Sequence, residues 1–237
     1  SERSLHGGPI PRGGGLGVAA ALVFGLTATG APVAFVAAAV GVWAISAWDD
    51  WAGAGPMTRL AAHVLASIAI VSLWAPITTP IFALLSVLAL IWSINLFNFM
   101  DGADGIAAVT AVIGGAALAG LTYVQSSATT FTPFVLNGAI LVAAAALGFL
   151  LLNFPPAKIF MGDGGSTLLG LVLATLSILG AVGGQWTIAI PLVVFMPFWA
   201  DATYTLIRRT IGGHNPLKQH RDHLYQGLAL AGRGHPG

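Results

Sequence analysis

Three groups of carboxylates stand at glycine-rich turns of an otherwise apolar chain, and their spacing suits the handling of phosphate and a hard cation. Asp49 and Asp50 are adjacent in AWDDWAG (47–53). At a membrane boundary such neighbours repel, and a divalent cation or a basic group relieves the repulsion. A solvated helix end is the alternative. The second group, NLFNFMDGADG (95–105), sets Asn95 and Asn98 three apart on one helix face and repeats the spacing in Asp101 and Asp104. Gly102 and Gly105 permit a tight turn and close approach of a ligand. These oxygens suit Mg²⁺, which takes one or two protein carboxylates and completes its shell with phosphate oxygens. A calcium loop would need a closing Glu that is absent, and a simple turn is the plainer alternative. The third group, PAKIFMGDGGS (156–166), puts Asp163 before a glycine pair and a predicted helix. Backbone N–H groups at a helix start hold phosphate, and Lys158 adds a point charge. An N-cap by Asp163 or Ser166 is the competing use. No Lys follows the glycines, so this is not a P-loop.

Two basic segments accompany the acids. In HNPLKQHRDH (214–223), His220 and His223 flank Arg221 and Asp222. Two histidines make an incomplete zinc set, so a pyrophosphate-binding loop fits better, with a basic tail as the bland reading. PRGGG (11–15) offers Arg12 beside three glycines, a candidate phosphate-facing nest. Asp201 lies inside an apolar stretch, where Arg208 or Arg209 could pair with it. His63 reads as a packed interfacial histidine.

The elements that must position these groups are membrane helices. The chain is 57% hydrophobic and 7% charged, with a mean hydropathy of +0.87; soluble domains carry about 25% charged residues. With no cysteine, disulfides and thiolate metal sites are excluded. The first fifteen residues lack the apolar core of a signal peptide. A bilayer needs about 20 apolar residues per helix, which predicts about eight spans: 16–28, 33–48, 61–75, 81–97, 106–124, 134–152, 167–182 and 188–207. Pro191 and Pro197 are expected to bend the last. The connections alternate. Those at 27–32, 76–80, 125–133 and 183–187 carry no charge, whereas the opposite set holds the bases and the acids. Basic residues on one side mark the cytoplasmic face, but acids contribute little to orientation. Asp49, Asp50, Asp101, Asp104 and Asp163 are therefore a surplus that asks for a function.

Taken together and in order, PRGGG, the Asp pair, NLFNFMDGADG, PAKIFMGDGGS and the His-Arg-Asp-His loop resemble the polyprenyl-phosphate N-acetylhexosamine-1-phosphate transferases. That superfamily is glycosyltransferase family 4 and includes the phospho-MurNAc-pentapeptide translocase. The resemblance implies an all-α polytopic bundle with catalytic loops on the cytoplasmic face of the bacterial inner membrane. It implies transfer of an N-acetylhexosamine 1-phosphate from a UDP-sugar to undecaprenyl phosphate with release of UMP. Catalytic roles fall by resemblance on Asp49, Asp50 and Asp101. Mg²⁺, with Mn²⁺ as substitute, falls on Asn98 and Asp163. Substrate contacts fall on Asp104, Arg59, Lys158, His220, Arg221, His223 and Arg12. Residues 1–237 are expected to form one integral-membrane transferase domain lacking one N-terminal and some C-terminal family helices. His63 stands where the family often has Gln. The spacing after His220 favours the branch that starts O-antigen and teichoic acid glycans, hence a donor without a peptide. Membrane lipids and a second copy of the chain are the other expected partners; nucleic acid is not. A divalent-cation transporter is the competing class, and it requires carboxylates along a path between both faces.

Overall fold

All eight apolar stretches become helical. The computed structural model describes residues 10–53, 55–74, 78–125 and 129–213. They form α1 (Gly14–Ala28), α2 (Val33–Ala52), α3 (Pro56–Ser72), α4 (Pro80–Met100), α5 (Ile106–Val124), α6 (Thr132–Asn153), α7 (Asp163–Val182), α8 (Ala189–Val194) and α9 (Met196–Ile211). There is no strand among the described residues. Lipid offers no partner for backbone N–H and C=O groups, so each segment must bond internally. Pro56, Pro80 and Pro133 sit in first helical turns, where a missing N–H costs nothing.

Helices α2, α4, α5, α6 and α7, of 19 to 22 residues, are long and apolar enough to cross a membrane; α1 and α3 are shorter apolar helices. Large apolar side chains such as Phe24, Leu65, Val124 and Leu151 point outward and are more than two-thirds exposed, which is tolerable only against lipid. The chain is a multi-pass membrane protein. Its predicted last span is broken as its prolines require. The break falls at Phe195, between α8 and α9, with Pro197 in the first turn of α9. Continuing α8 would drive the Pro197 ring into the carbonyl of Val193. The Trp199 Nε1 donates to the Leu192 carbonyl at 2.7 Å and satisfies one group freed by the break.

The core is α7, which α1, α2, α4, α5 and α6 surround. Small residues let the neighbours close on it. A Cβ at Gly170 would lie 2.6 Å from the Ser93 carbonyl of α4, and the Ser93 hydroxyl donates back to Gly170 O at 3.1 Å. Helix α9 packs on α4 through Phe198 and Phe97, ring centroids 5.0 Å apart.

The two ends of the bundle differ as the charge pattern predicts. At one end the turns α5–α6 and α7–α8 meet through Gln185, whose Nε2 donates to Thr132 at 2.8 Å, and these turns are uncharged. At the other end stand Asp49, Asp50, Arg59, Asp101, Asp104, Lys158 and Asp163. The path of carboxylates that a transporter requires is not what gathers here: the surplus acids share a single end.

Candidate active site

The site is built where α2, α3, α4 and α7 meet the loop 154–162. Two boundaries differ from the sequence expectation. Asp49 and Asp50 do not follow α2 but form part of its last turn, which Gly53 closes in the left-handed conformation. Asp163 does not precede α7 but is its first residue, and the N-cap is Gly162, with no side-chain cap bond. Gly162 has φ of 78°, and a Cβ there would approach Asp50 Oδ2 to 2.9 Å; only glycine fits both conditions.

The adjacent aspartates are relieved of mutual repulsion by facing different partners. Asp49 Oδ1 accepts from the Gly55 N–H at 2.6 Å, and Asp49 Oδ2 lies 3.0 Å from Arg59 Nε. Asp50 Oδ2 accepts from the Asp163 N–H at 2.6 Å, so it caps α7 from a distant part of the chain, where the helix dipole favours an anion. Arg59, in the first turn of α3, also donates through an Nη to Asp163 Oδ2. One guanidinium thus bridges Asp49 and Asp163 and locks the ends of α2, α3 and α7 together, a use of its fork that lysine could not copy.

Helix α4 contributes Asn98, whose Nδ2 donates to Ser166 Oγ at 3.4 Å; Ser166 in turn lies 3.3 Å from the Asp163 carbonyl. Asn98 and Asp163 therefore flank one hydroxyl. Asp101 caps the C-terminus of α4 and is partly exposed. Asp104 Oδ2 accepts from the Ala157 N–H at 2.8 Å, which ties the α4–α5 turn to the α6–α7 loop. Asp104→Ala would leave the buried Ala157 N–H unpaired, at about 1–3 kcal/mol. The expected result is a lower melting temperature in detergent; an unchanged one would show that this bond carries no weight.

The PRGGG segment corrects an expectation. Its N–H groups do not face an open nest. Gly13 and Gly14 donate to Phe160 O at 3.2 and 3.0 Å, Gly15 donates to Met161 O at 2.9 Å, and the Phe160 N–H donates to Pro11 O at 3.0 Å. The segment is a short parallel partner of the loop. It leaves Arg12 exposed, close enough for its charge to act on Asp50. Lys158 is exposed on the same loop. His220, Arg221 and His223 lie outside the described residues.

Asn153 escaped the sequence reading. It ends α6, accepts from the Gly105 N–H at 2.8 Å through Oδ1, and donates to Ile159 O at 2.8 Å through Nδ2. A buried amide with both ends engaged organises two site loops. The signal was present: Asn153 is the lone amide closing the apolar run before Pro155 and Pro156.

Carboxylates, an arginine and a helix N-terminus are thus gathered at one end of a membrane bundle. Known proteins are similar in sequence to this chain. The model of glycosyl transferase family 4 matches residues 32–181, which hold all three acidic groups. Across 99% of its length the chain is 32% identical to a decaprenyl-phosphate N-acetylglucosaminephosphotransferase of Mycolicibacterium smegmatis, covering 68% of that protein. It is 31% identical, again across 99%, to a Bacillus subtilis protein described as a probable undecaprenyl-phosphate N-acetylglucosaminyl 1-phosphate transferase, covering 70% of it. Identity to a phospho-N-acetylmuramoyl-pentapeptide-transferase of Streptococcus pyogenes is 41% but spans only 43% of this chain and 28% of the relative. The site geometry and these matches lead to one conclusion: the chain belongs to glycosyl transferase family 4.

Proposed function

We propose that this enzyme transfers N-acetylglucosamine 1-phosphate from UDP-N-acetylglucosamine to a polyprenyl phosphate, releasing UMP and starting a cell-envelope glycan. The observation that carries the reading is the joining of Asp49, Asp50, Arg59 and Asp163 around the N-terminus of α7, in a chain that aligns with polyprenyl-phosphate transferases over 99% of its length. The site is assigned to the cytoplasmic side of the bacterial inner membrane. Arg12, Arg59 and Lys158 at that end, against uncharged turns at the other, support this orientation.

An oxygen of the lipid phosphate attacks the β-phosphorus of the nucleotide sugar. A new P–O bond forms as the bond from that phosphorus to the bridging oxygen breaks, and the electron pair leaves on UMP. A phosphate monoester has a second pKa of about 6, so the nucleophile is already ionised at neutral pH and one-step attack suffices. The difficulty is bringing two anions together. Arg59, Arg12 and Lys158 offset that charge, and the N–H groups opening α7 add a fixed positive potential. Asp49 aims Arg59, and Asp50 holds the first turn of α7 in place. Asp101 and Asp104 are assigned to the donor, and His220, Arg221 and His223 to its diphosphate.

Asp163 and Asn98 would hold Mg²⁺. Their chemistry fits: a carboxylate and a carboxamide, both hard oxygen donors, flank Ser166 on adjoining helix ends. Among the described residues no trio of His, Asp or Glu encloses a metal alone, which suits an ion whose shell substrate phosphate completes. Bound there, Mg²⁺ supplies neutralisation of the diphosphate.

The test is UMP release by purified protein in detergent, given undecaprenyl or decaprenyl phosphate, Mg²⁺ and separate UDP-sugars. Release with UDP-N-acetylglucosamine that requires both lipid and metal is expected. Preference for UDP-MurNAc-pentapeptide would overturn the donor assignment, and silence from folded protein across all donors would overturn the reaction. A homodimer belongs to the same proposal and is checked by light scattering of the detergent complex.

A further inference from the structure

One helical turn beneath the ionic layer lies a second polar layer that the reaction above does not use. Arg59, His63 and Ser67 follow one another at intervals of four along α3 and share a face. Helix α2 ends at Ala52 and α3 begins at Pro56, and the two pack antiparallel. Asp49 and Arg59 are level, as their contact requires. Ser46 lies three residues, about 4.5 Å, below Asp49, and His63 four residues, about 6 Å, below Arg59, so these two are also close to one depth. Asn95 of α4 lies three residues below Asn98, beside the His63 ring but without hydrogen-bond geometry to it.

These side chains are enclosed: Ser46 is 0%, His63 2% and Ser67 0% exposed. Yet Ser46 Oγ, Ser67 Oγ and both His63 ring nitrogens have no protein hydrogen-bond partner among the described residues. The hydroxyls are the telling part. Other buried helical hydroxyls here satisfy themselves on the carbonyl four residues back: Ser86 on Phe82, Thr122 on Leu118, Thr175 on Leu171 and Ser177 on Leu173, each at 2.8 Å. Ser46 and Ser67 forgo that local bond. Four orphaned polar atoms, with Ser67 one further turn beneath Ser46 and His63, are costly unless a small donor–acceptor reaches them, and water, which typically makes about three hydrogen bonds when buried, has the right chemistry.

We propose that Ser46 and His63 bound a buried water site joining α2 and α3 beneath the ionic layer, with Ser67 one turn deeper along the same face of α3, and that His63 acts through it as a positioning residue for Arg59. Water held there fixes the rotation and depth of α3 against α2, and with them the aim of the guanidinium that bridges Asp49 and Asp163. The positioning role rests on the transferase reading; the water site does not.

The full chain is tested in two ways. Radiolytic hydroxyl-radical labelling reports bound internal water independently of turnover. His63 is expected to label despite its burial, unlike Ile70, which is buried on the same helix; a silent His63 would overturn the water site. Kinetics then use His63→Leu, which removes both polar atoms, and His63→Gln, which restores a donor and an acceptor. We expect His63→Leu to lower kcat at least about tenfold with little change in KM or melting temperature, and His63→Gln to recover most of the loss. Full activity in His63→Leu, or equal loss of activity and stability in both variants, would overturn the positioning role. UMP release by the wild type in the same assay separates failure of this inference from failure of the transferase reading.

Discussion

Asp163→Asn is expected to cut UMP release by about 10²–10³-fold while the protein still folds. Asp163 stands at the intersection of three parts of the site. Its carboxylate takes the Arg59 guanidinium, its N–H takes the Asp50 carboxylate, and its carbonyl meets the Ser166 hydroxyl beside Asn98. Asparagine keeps the backbone contacts and the side-chain shape, so α7 begins at the same residue. What is lost is one negative charge and one of the two carboxylate oxygens. The lost ion pair is partly exposed, at 20% and 16% for the two side chains, and such pairs contribute about 0–1 kcal/mol. Stability should therefore change little. On the proposed metal assignment, the Mg²⁺ concentration for half-maximal rate should rise, because the site would lose the charge of a carboxylate. The check is a rate measurement across a Mg²⁺ titration at saturating lipid and donor, paired with a melting curve. A variant within tenfold of wild type at all Mg²⁺ concentrations would remove Asp163 from the reaction.

Gly15→Ala should produce the largest loss of stability for the smallest change of structure. Gly15 and Gly165 are where α1 meets α7. A Cβ on Gly15 would lie 2.6 Å from Met161 O, 2.7 Å from Gly165 N and 2.9 Å from Gly165 Cα. Every obstacle is backbone, so no rotamer change relieves it and the helix ends must separate. Overpacking of this kind costs about 1–3 kcal/mol, occasionally more. Separation would also strain the Gly13, Gly14 and Gly15 bonds to Phe160 and Met161, and hence shift Arg12 relative to Asp163. Both melting temperature and turnover should fall. Gly17→Ala is the matched control. It lies two residues on in the same helix, and a Cβ added there would meet nothing within 4 Å, so it should gain about 0.5–1 kcal/mol from helix propensity. Equal behaviour of the two variants would show that the close approach of α1 and α7 is unimportant.

These predictions divide along the line between local and long-range information. The helical fold and the gathering of the acids at one end were legible in the sequence. Runs of apolar residues interrupted by Pro and Gly encode helices, because lipid leaves the backbone no other way to bond. The break near Pro197 was legible for the same local reason. The acids were legible as a functional surplus because apolar helices do not need them. Boundaries were less so: polar residues such as Asp49, Asn98 and Asp163 look like loop, yet each lies in a terminal helical turn, where side chains reach past the bilayer core while the backbone stays bonded.

By itself, then, the sequence determined a helical membrane bundle with its chemistry at one end, since periodicity, hydropathy and charge are properties of neighbouring residues. Only the tertiary structure decided the partners. Asp50 caps a helix that begins at Asp163, Arg59 spans Asp49 and Asp163, PRGGG is held by Phe160 and Met161, and Ser46, His63 and Ser67 are buried without protein partners for their polar atoms among the described residues. Those pairings depend on how deep each helix sits and how it is rotated. Close contacts at Gly15, Gly165 and Gly170 set both, and nothing in a residue's near neighbours records which distant backbone will come to rest against it.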